Sequence, residues 1–299
     1  QLAHCGIRPG GVLIEPDGRN TAPAAAIAAL HLAQSNPESL MLLVPADHAI
    51  PEVADFQDTV LQGVAAALAG QIVTFGITPT RAEIGYGWLE AGPETSHGAL
   101  ELTQFIEKPD QTKADRLFSD PRYLWNAGLF LTRADVMLKA FEMHAPDILN
   151  STKAALEAAT PDLGFVRIDP EHWQTVRAES IDYAVMEHAG NVSLVRFTGS
   201  WSDLGSWEAV WQESSPDEHG NATSGLTTQI GCENTLLRSE SPEIELVGIG
   251  LKNIAAVAMR DAVLVTDMAD TQSVRFAVGW LLSGRPPSNP FSSENSATR

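Results

Sequence analysis

Thiols are scarce: Cys5 and Cys232 are the only two in 299 residues, they lie far apart, and neither belongs to a CxxC or a Cys/His cluster. That argues against a disulfide framework or a zinc site and fits a reducing compartment. Basic residues are half as many as acidic ones, 19 Lys plus Arg against 38 Asp plus Glu, for a net charge of −19. Such a charge argues against a nucleic-acid or anionic-membrane partner. The sequence has no run of about 18 apolar residues and no charged-then-apolar leader, so it offers no transmembrane span or signal peptide, and the cytoplasm is the default location. No GxGxxG follows any strand-like run, which disfavours a nicotinamide dehydrogenase. An initiating Met is missing as well: the first residue is Gln1, which leaves a lost beginning open.

What is present begins with strand and helix signals. The run Gly11–Glu15 reads as a short strand, and Asn20 or Thr21 can cap an Ala-rich helix that has Pro23 in its first turn. Leu40–Val44 is a continuous apolar run, as expected of a strand buried on both faces. A helix follows over about Asp55–Ala69 and then a strand at Ile72–Ile77. This alternation argues for a parallel α/β sheet, with ligands gathering where strands end, near Asp47. Short extended pieces surround Gly85–Gly87 and Leu100–Glu107. Further helices are expected at Thr112–Phe118, Arg133–Glu142, Pro146–Ala159, Glu179–Glu187 and Leu204–Trp211, with strands at Gly128–Leu131 and Val192–Phe197.

Composition turns polar and Gly-rich between about Ser214 and Thr227, and short β-like runs follow at roughly ten-residue spacing. The expected organisation is therefore a main domain over 1–213, a small β domain over 214–272 and a structureless tail over 273–299.

Several side chains have the chemistry of phosphate and sugar handling. Asp47 ends a buried strand, and Asp203 sits in the turn Gly199–Trp207 between two Trp and two Gly. Two such aspartates can hold Mg²⁺, which is bound through one or two carboxylates plus substrate phosphates and offsets the repulsion between an acidic protein and a phosphorylated substrate. Glu107 can accept from sugar hydroxyls, and Lys108 can act as a point charge on a phosphate. Asn126 precedes a strand, Gly87 permits close backbone approach, and Arg19, Asn20 and Thr21 lie at a helix N-terminus suited to an anion. Read singly, they are better explained by a cap, a turn or a surface ion pair.

Their joint order is more informative. Glu15-Pro-x-x-Arg19-Asn-Thr-Ala-Pro23, Val44-Pro-Ala-Asp-His48, Phe75-Gly-Ile-x-Pro-Thr80, Gly85-Tyr-Gly87, Glu107-Lys-Pro109, Trp125-Asn126-x-Gly128, Glu179–Glu187 and Trp201-Ser-Asp-Leu-Gly-Ser-Trp207 together resemble the mannose-1-phosphate guanylyltransferase family over about residues 11–270.

The resemblance implies an α/β, Rossmann-like (glycosyltransferase-A-like) mixed sheet flanked by helices, plus a small C-terminal unit like a left-handed β-helix. It implies transfer of GMP from GTP to mannose 1-phosphate, giving GDP-mannose and pyrophosphate. By that resemblance Asp47 and Asp203 are the Mg²⁺ ligands and Lys108 meets the sugar phosphate. Gly87, Glu107, Asn126 and Asp182 belong to the sugar site, and Arg19, Asn20 and Thr21 lie near the nucleotide. A homodimer through the β unit goes with it.

The family's Gly-Gly-x-Gly-x-Arg-Leu-x-Pro phosphate loop is not in the sequence, so about eighty to ninety residues, with the first strand of the sheet, are expected before Gln1 at ordinary βαβ lengths. Two alternatives follow: a remnant that binds sugar phosphate without turnover, or an enzyme for another sugar phosphate and nucleotide.

Overall fold

The computed structural model describes residues 6–283; Cys5 and the tail beyond Ser283 lie outside them. The chain forms two compact units. The first takes everything up to Trp201 except Asp47–Ala49, and the second takes Asp47–Ala49 and the chain from Ser202 onward. The expected boundary near Ser214 follows a change in composition, whereas the compact units divide directly after Trp201.

In the first unit the order is β1 (Val12–Ile14), α1 (Thr21–Ser35), β2 (Leu40–Leu43), α2 (Val53–Leu68), β3 (Ile72–Ile77), β4 (Trp88–Glu94), β5 (Leu100–Ile106), α3 (Gln111–Phe118), β6 (Tyr123–Arg133), α4 (Ala134–His144), α5 (Pro146–Glu157), β7 (Thr160–Asp162), β8 (Phe165–Arg167), α6 (Pro170–Gln174), a π-helical turn (Asp182–Met186) and β9 (Val192–Phe197). Six strands make the main sheet in the order β2-β6-β3-β9-β5-β4.

The sequence signal for a purely parallel sheet is corrected here. β2 and β3 do run in the same direction, but β6 lies between them and is antiparallel to both, while β3 and β9 form a directly parallel pair. A strand–helix–strand pattern fixes direction, not adjacency, and a strand some fifty residues downstream fills the gap. The run at Gly11–Glu15 also lies elsewhere than expected, since β1 pairs with β8 in a separate three-stranded sheet.

Apolar side chains cover both faces of the main sheet. On one face, the Ala-rich side of α1 (Ala22, Ala25, Ala26, Ala29) packs with Met137 and Phe141 of α4 and Ile148 of α5. Alanines let these helices approach closely. On the other, Ala66 and Ala67 of α2 cover Val73 and Phe75. Fully burying a large apolar side chain contributes about 1.5–3 kcal/mol, which makes these two clusters the main source of stability in this unit.

The second unit contains α7 (Trp207–Glu213), β10 (Ala222–Ser224), β11 (Thr227–Ile230), β12 (Leu236–Ser239), β13 (Leu246–Ile249), β14 (Ile254–Ala258), β15 (Val263–Asp267), a 3-10 turn (Met268–Ser273) and α8 (Val274–Ser283). β10, β12 and β14 stack in parallel, as do β11 and β13, and β15 closes the first stack antiparallel. Leu236 faces Ala255 and Thr227 faces Leu246, so these two ladders share a 19-residue step. Asn234 and Asn253, one step apart, both turn corners at positive φ, and Asn234 Nδ2 donates to Asn253 Oδ1 at 3.4 Å. Asn tolerates that region better than most residues. The helix Val274–Ser283 occupies the start of the stretch that composition alone leaves without structure; its apolar content, not its Ser/Asn/Pro-rich continuation, governs that segment.

Candidate active site

The first unit gathers Gly87, Glu107, Lys108, Asn126 and Asp182 in one place. Gly87 directly precedes β4, Glu107 and Lys108 directly follow β5, Asn126 lies on β6, and Asp182 opens the π-helical turn. A β-bulge aims Asn126: Thr74 of β3 pairs with Phe130 but Gly76 pairs with Asn126, so three residues of β6 lie opposite one on β3. Gly128, at φ 67°, absorbs the irregularity.

Hydrogen bonds then fix the side chain. Asn126 Nδ2 donates to Asp182 Oδ1 at 2.9 Å, and Asn126 Oδ1 accepts from Thr74 Oγ1 at 3.1 Å and from Gly128 N at 3.1 Å. The backbone N–H of Asn126 donates to Gly87 O at 2.7 Å.

Glu107 presses against Gly87. A Cβ added there would lie 2.6 Å from Glu107 Oε2, so any other residue would force the carboxylate to shift. The Glu107 side chain is 4% exposed and pairs with Lys108 Nζ, whose own side chain is 51% exposed. That difference leaves the ammonium accessible from solvent while the carboxylate is buried. Burial pulls the Lys108 ammonium down, but the hydrogen bond and charge of Glu107, with help from Asp182, raise its pKa above the usual lysine value. It remains a cation. Lys108 also lies 6.0 Å from the ring centroid of Tyr183, and the backbone N–H of Glu107 donates to Glu187 Oε1 at 3.3 Å.

Asp182 behaves differently. Burial first, and the charge of Glu107 second, push its carboxyl up to about 6. A π-turn is a rare geometry found mostly at functional sites; here it replaces the regular helix expected over Glu179–Glu187.

Arg19, Asn20 and Thr21 open α1. Asn20 Oδ1 accepts from Thr21 N at 2.8 Å, and Thr21 Oγ1 accepts from Ile181 N at 2.9 Å, tying this helix start to the residue before Asp182. Asn20 has φ 68° and ψ −171°, a region occupied almost only by glycine. Arg19 pairs with Asp17 at 3.3 Å, yet its Nε is buried with no hydrogen-bond partner.

The second unit holds the two remaining aspartates. Ala49 and Ser202 form an antiparallel bridge, with Ala49 N donating to Ser202 O at 2.8 Å and Ser202 N to Ala49 O at 3.1 Å. This clip brings Asp47 and Asp203 to bear on one imidazole. Desolvation lowers the pKa of His48, and the charges of both Asp47 and Asp203 act to raise it. Asp47 is exposed and Asp203 half-buried. Asp203 Oδ1 accepts from Gly205 N at 2.9 Å. Among the described residues no group of three or more His, Cys, Asp and Glu side chains assembles a metal cage. A pair of carboxylates by itself would suit only an ion that completes its shell with water and phosphate oxygen.

A nucleotidyl transferase family model matches residues 10–220. The chain belongs to that family. It is 39% identical over 274 residues to mannose-1-phosphate guanylyltransferase of Escherichia coli K12, covering 89% of this chain and 57% of that protein. It is 38% identical over 283 residues to the xanthan biosynthesis protein XanB of Xanthomonas campestris pv. campestris strain B100, covering 95% of this chain and 60% of the relative. The chain thus spans a little over half the length of these relatives. Among solved structures, mannose-1-phosphate geranyltransferase from Thermus thermophilus superposes with a TM-score of 0.76 at 26% identity, over 90% of this chain and 77% of that one.

In this nucleotidyl transferase, sequence reading left three residues of the cluster without a role: Thr74, Tyr183 and Glu187. Tyr183 and Glu187 lie inside a quoted motif. Thr74 had a signal of its own, as the one hydroxyl in the wholly buried strand Ile72–Ile77, and a buried polar group needs a partner. No described helix is long and apolar enough to cross a membrane.

Proposed function

We propose that the protein transfers GMP from GTP to mannose 1-phosphate, giving GDP-mannose and pyrophosphate. The observation that carries this reading is the cluster of Glu107, Lys108, Asn126 and Asp182 around Gly87: a buried carboxylate and carboxamide for sugar hydroxyls beside a solvent-exposed cation for the phosphate. The names of the relatives support the choice of sugar and base.

A phosphate oxygen of the sugar phosphate attacks the α-phosphorus of the nucleotide in line. The bond from that phosphorus to the bridging oxygen breaks, and pyrophosphate leaves with the electron pair. Such a step needs positioning and charge neutralisation more than covalent help. Glu107 accepts from the sugar hydroxyls and Asn126 donates to one. Lys108 leaves Glu107 for the sugar phosphate, and the segment Arg19–Thr21 meets the nucleotide. Asp47 and Asp203 would hold Mg²⁺, which supplies positive charge against the phosphate oxygens. A cytoplasmic location and a homodimer accompany this reading.

The test is formation of GDP-mannose and pyrophosphate from GTP and mannose 1-phosphate, with Mg²⁺ and then with excess EDTA. Turnover only with the metal is expected. Binding of mannose 1-phosphate with no GDP-mannose formed would reduce the protein to a sugar-phosphate binder. Faster turnover with glucose 1-phosphate or a uridine or thymidine nucleotide would move it to another substrate pair.

A further inference from the structure

Asn126 is a carboxamide whose polarity is decided by its neighbours. Its Oδ1 has two acceptor positions, and both are taken: one by Thr74 Oγ1 at 3.1 Å and one by the backbone N–H of Gly128 at 3.1 Å. A backbone N–H can only donate, so the end of the amide facing Gly128 must be the oxygen. The nitrogen then faces Asp182, to which it gives one of its two hydrogens at 2.9 Å. What remains of Asn126 for any ligand is a single N–H.

Thr74 is fully buried. It lies on β3, two residues from Gly76, which pairs with Asn126 across the bulge in the β3–β6 ladder. Strand residues two apart share a face, so the bulge sets the threonine hydroxyl beside the carboxamide. The rest of β3 is Ile, Val, Phe, Gly and Ile. A hydroxyl in that strand, bonded to a side chain of the candidate site and to no regular ladder position, is placed for that side chain.

We propose that Thr74 is a positioning residue for substrate recognition: with Gly128 it saturates the oxygen of Asn126, so that the site offers the sugar a hydrogen-bond donor at this point and no acceptor. The inference rests on the reading of the cluster as a sugar-phosphate site. It identifies the group read there as an oxygen that accepts, a hydroxyl through its lone pair or a ring oxygen. A sugar phosphate carrying hydrogen or a protonated amine in that place is rejected, because the N–H is then left buried without a partner.

The experiment compares Thr74→Val, which removes the hydroxyl at constant shape, with Thr74→Ser, which keeps it. Binding of mannose 1-phosphate to the full chain is measured by calorimetry. Where turnover is present, KM for the sugar phosphate and for GTP are measured separately. The Val variant is expected to bind the sugar phosphate about 5- to 10-fold more weakly, in line with the loss of one hydrogen bond, with KM for GTP unchanged. The Ser variant should stay within about 2-fold of the parent.

In ¹⁵N-labelled protein the Asn126 side-chain NH₂ pair, identified by its loss in Asn126→Asp, should exchange with solvent faster in the Val variant than in the parent or the Ser variant. Unaltered exchange in Thr74→Val, or an equal loss of binding in Val and Ser, overturns the proposal by reducing Thr74 to packing. If the parent makes no GDP-mannose, the functional reading fails by itself, and the exchange measurement still decides the role of Thr74. Should Thr74→Val not fold, Thr74→Ala and Thr74→Ser differ by the hydroxyl alone and carry the same comparison.

Discussion

The two regions that carry the acidic site residues are ordered by opposite means. In the first unit the side chains are held by a network: Asn126 by Thr74 and Asp182 from other elements and by Gly128 of its own strand, while Glu107 packs against Gly87. In the second, Asp203 is shaped by its own turn through the N–H of Gly205, and Asp47 stands exposed beside a two-residue bridge. A buried network fixes geometry before a ligand arrives; in the proposed reading, the carboxylates of the second region are the ones a cation would draw together. The lesson is that substitutions in the two regions should separate into loss of chemistry, loss of sugar affinity and loss of fold.

The largest effect is expected at Asp203. Asp203→Asn keeps an oxygen for the N–H of Gly205 but removes the charge, so turnover should fall by at least about 100-fold, the scale of losing one electrostatic stabiliser. The melting temperature should move by no more than about 2 °C, since the bond to the N–H of Gly205 is kept and a partly exposed charge contributes little to stability. A rate close to the parent's, measured by pyrophosphate release, would remove the metal argument and with it the contrast between the regions.

Gly87→Ala comes next. The added Cβ meets Glu107 Oε2 at 2.6 Å, so the buried carboxylate must shift. KM for the sugar phosphate is expected to rise at least about 10-fold, as a misplaced contact group allows, while KM for the nucleotide stays. Equal changes in both would show that the preformed cluster does not read the sugar.

A smaller effect concerns pH. The Asp182 carboxyl titrates at about 6 in the folded protein against 3.8 in the free chain, because burial and the Glu107 charge disfavour its ionised form. The folded state therefore binds more protons than the unfolded state between those values. The contribution of this group to stability falls as pH rises through that window and stays low above it. Asp182→Asn has no such proton to lose. The melting temperature of the variant, relative to the parent, should rise from about pH 4 to about pH 6 and then level off. A constant difference across that range would mean that Asp182 is ionised throughout.

The smallest effect is at the helix start. Asn20→Ala keeps the positive φ and loses the cap, so it should destabilise by about 1–2 kcal/mol. Asn20→Gly relieves the strain as it loses the cap and should be near neutral in chemical denaturation. Equal losses in both would show that the side chain, not the backbone, dominates there.

Much of the fold could be read from local signals. The buried strand at Ile72–Ile77 matches its observed bounds, and the capped helix before Ser35 is where Asn20 and the alanines put it. The parallel stacking of the small β strands was less legible, because parallel partners 14 and 19 residues apart (Ala222 with Leu236, Leu236 with Ala255) leave no uniform period. Among site residues, Glu107 and Lys108 could be named from their motif. Their burial, 4% against 51% exposed, could not, although it separates the buried carboxylate from the accessible ammonium.

The sequence by itself determined the charge balance, the strand and helix content, and the order of the motifs, since propensity and apolar periodicity act over a few residues. Tertiary structure alone decided that β6 enters between β2 and β3, that a bulge turns Asn126 toward Thr74 and Asp182, and that a clip at Ala49 and Ser202 brings the charge of Asp203 to bear on His48 alongside that of Asp47. These pairings join residues about 50 to 155 positions apart, and at that distance only the packing of whole elements selects which side chains meet.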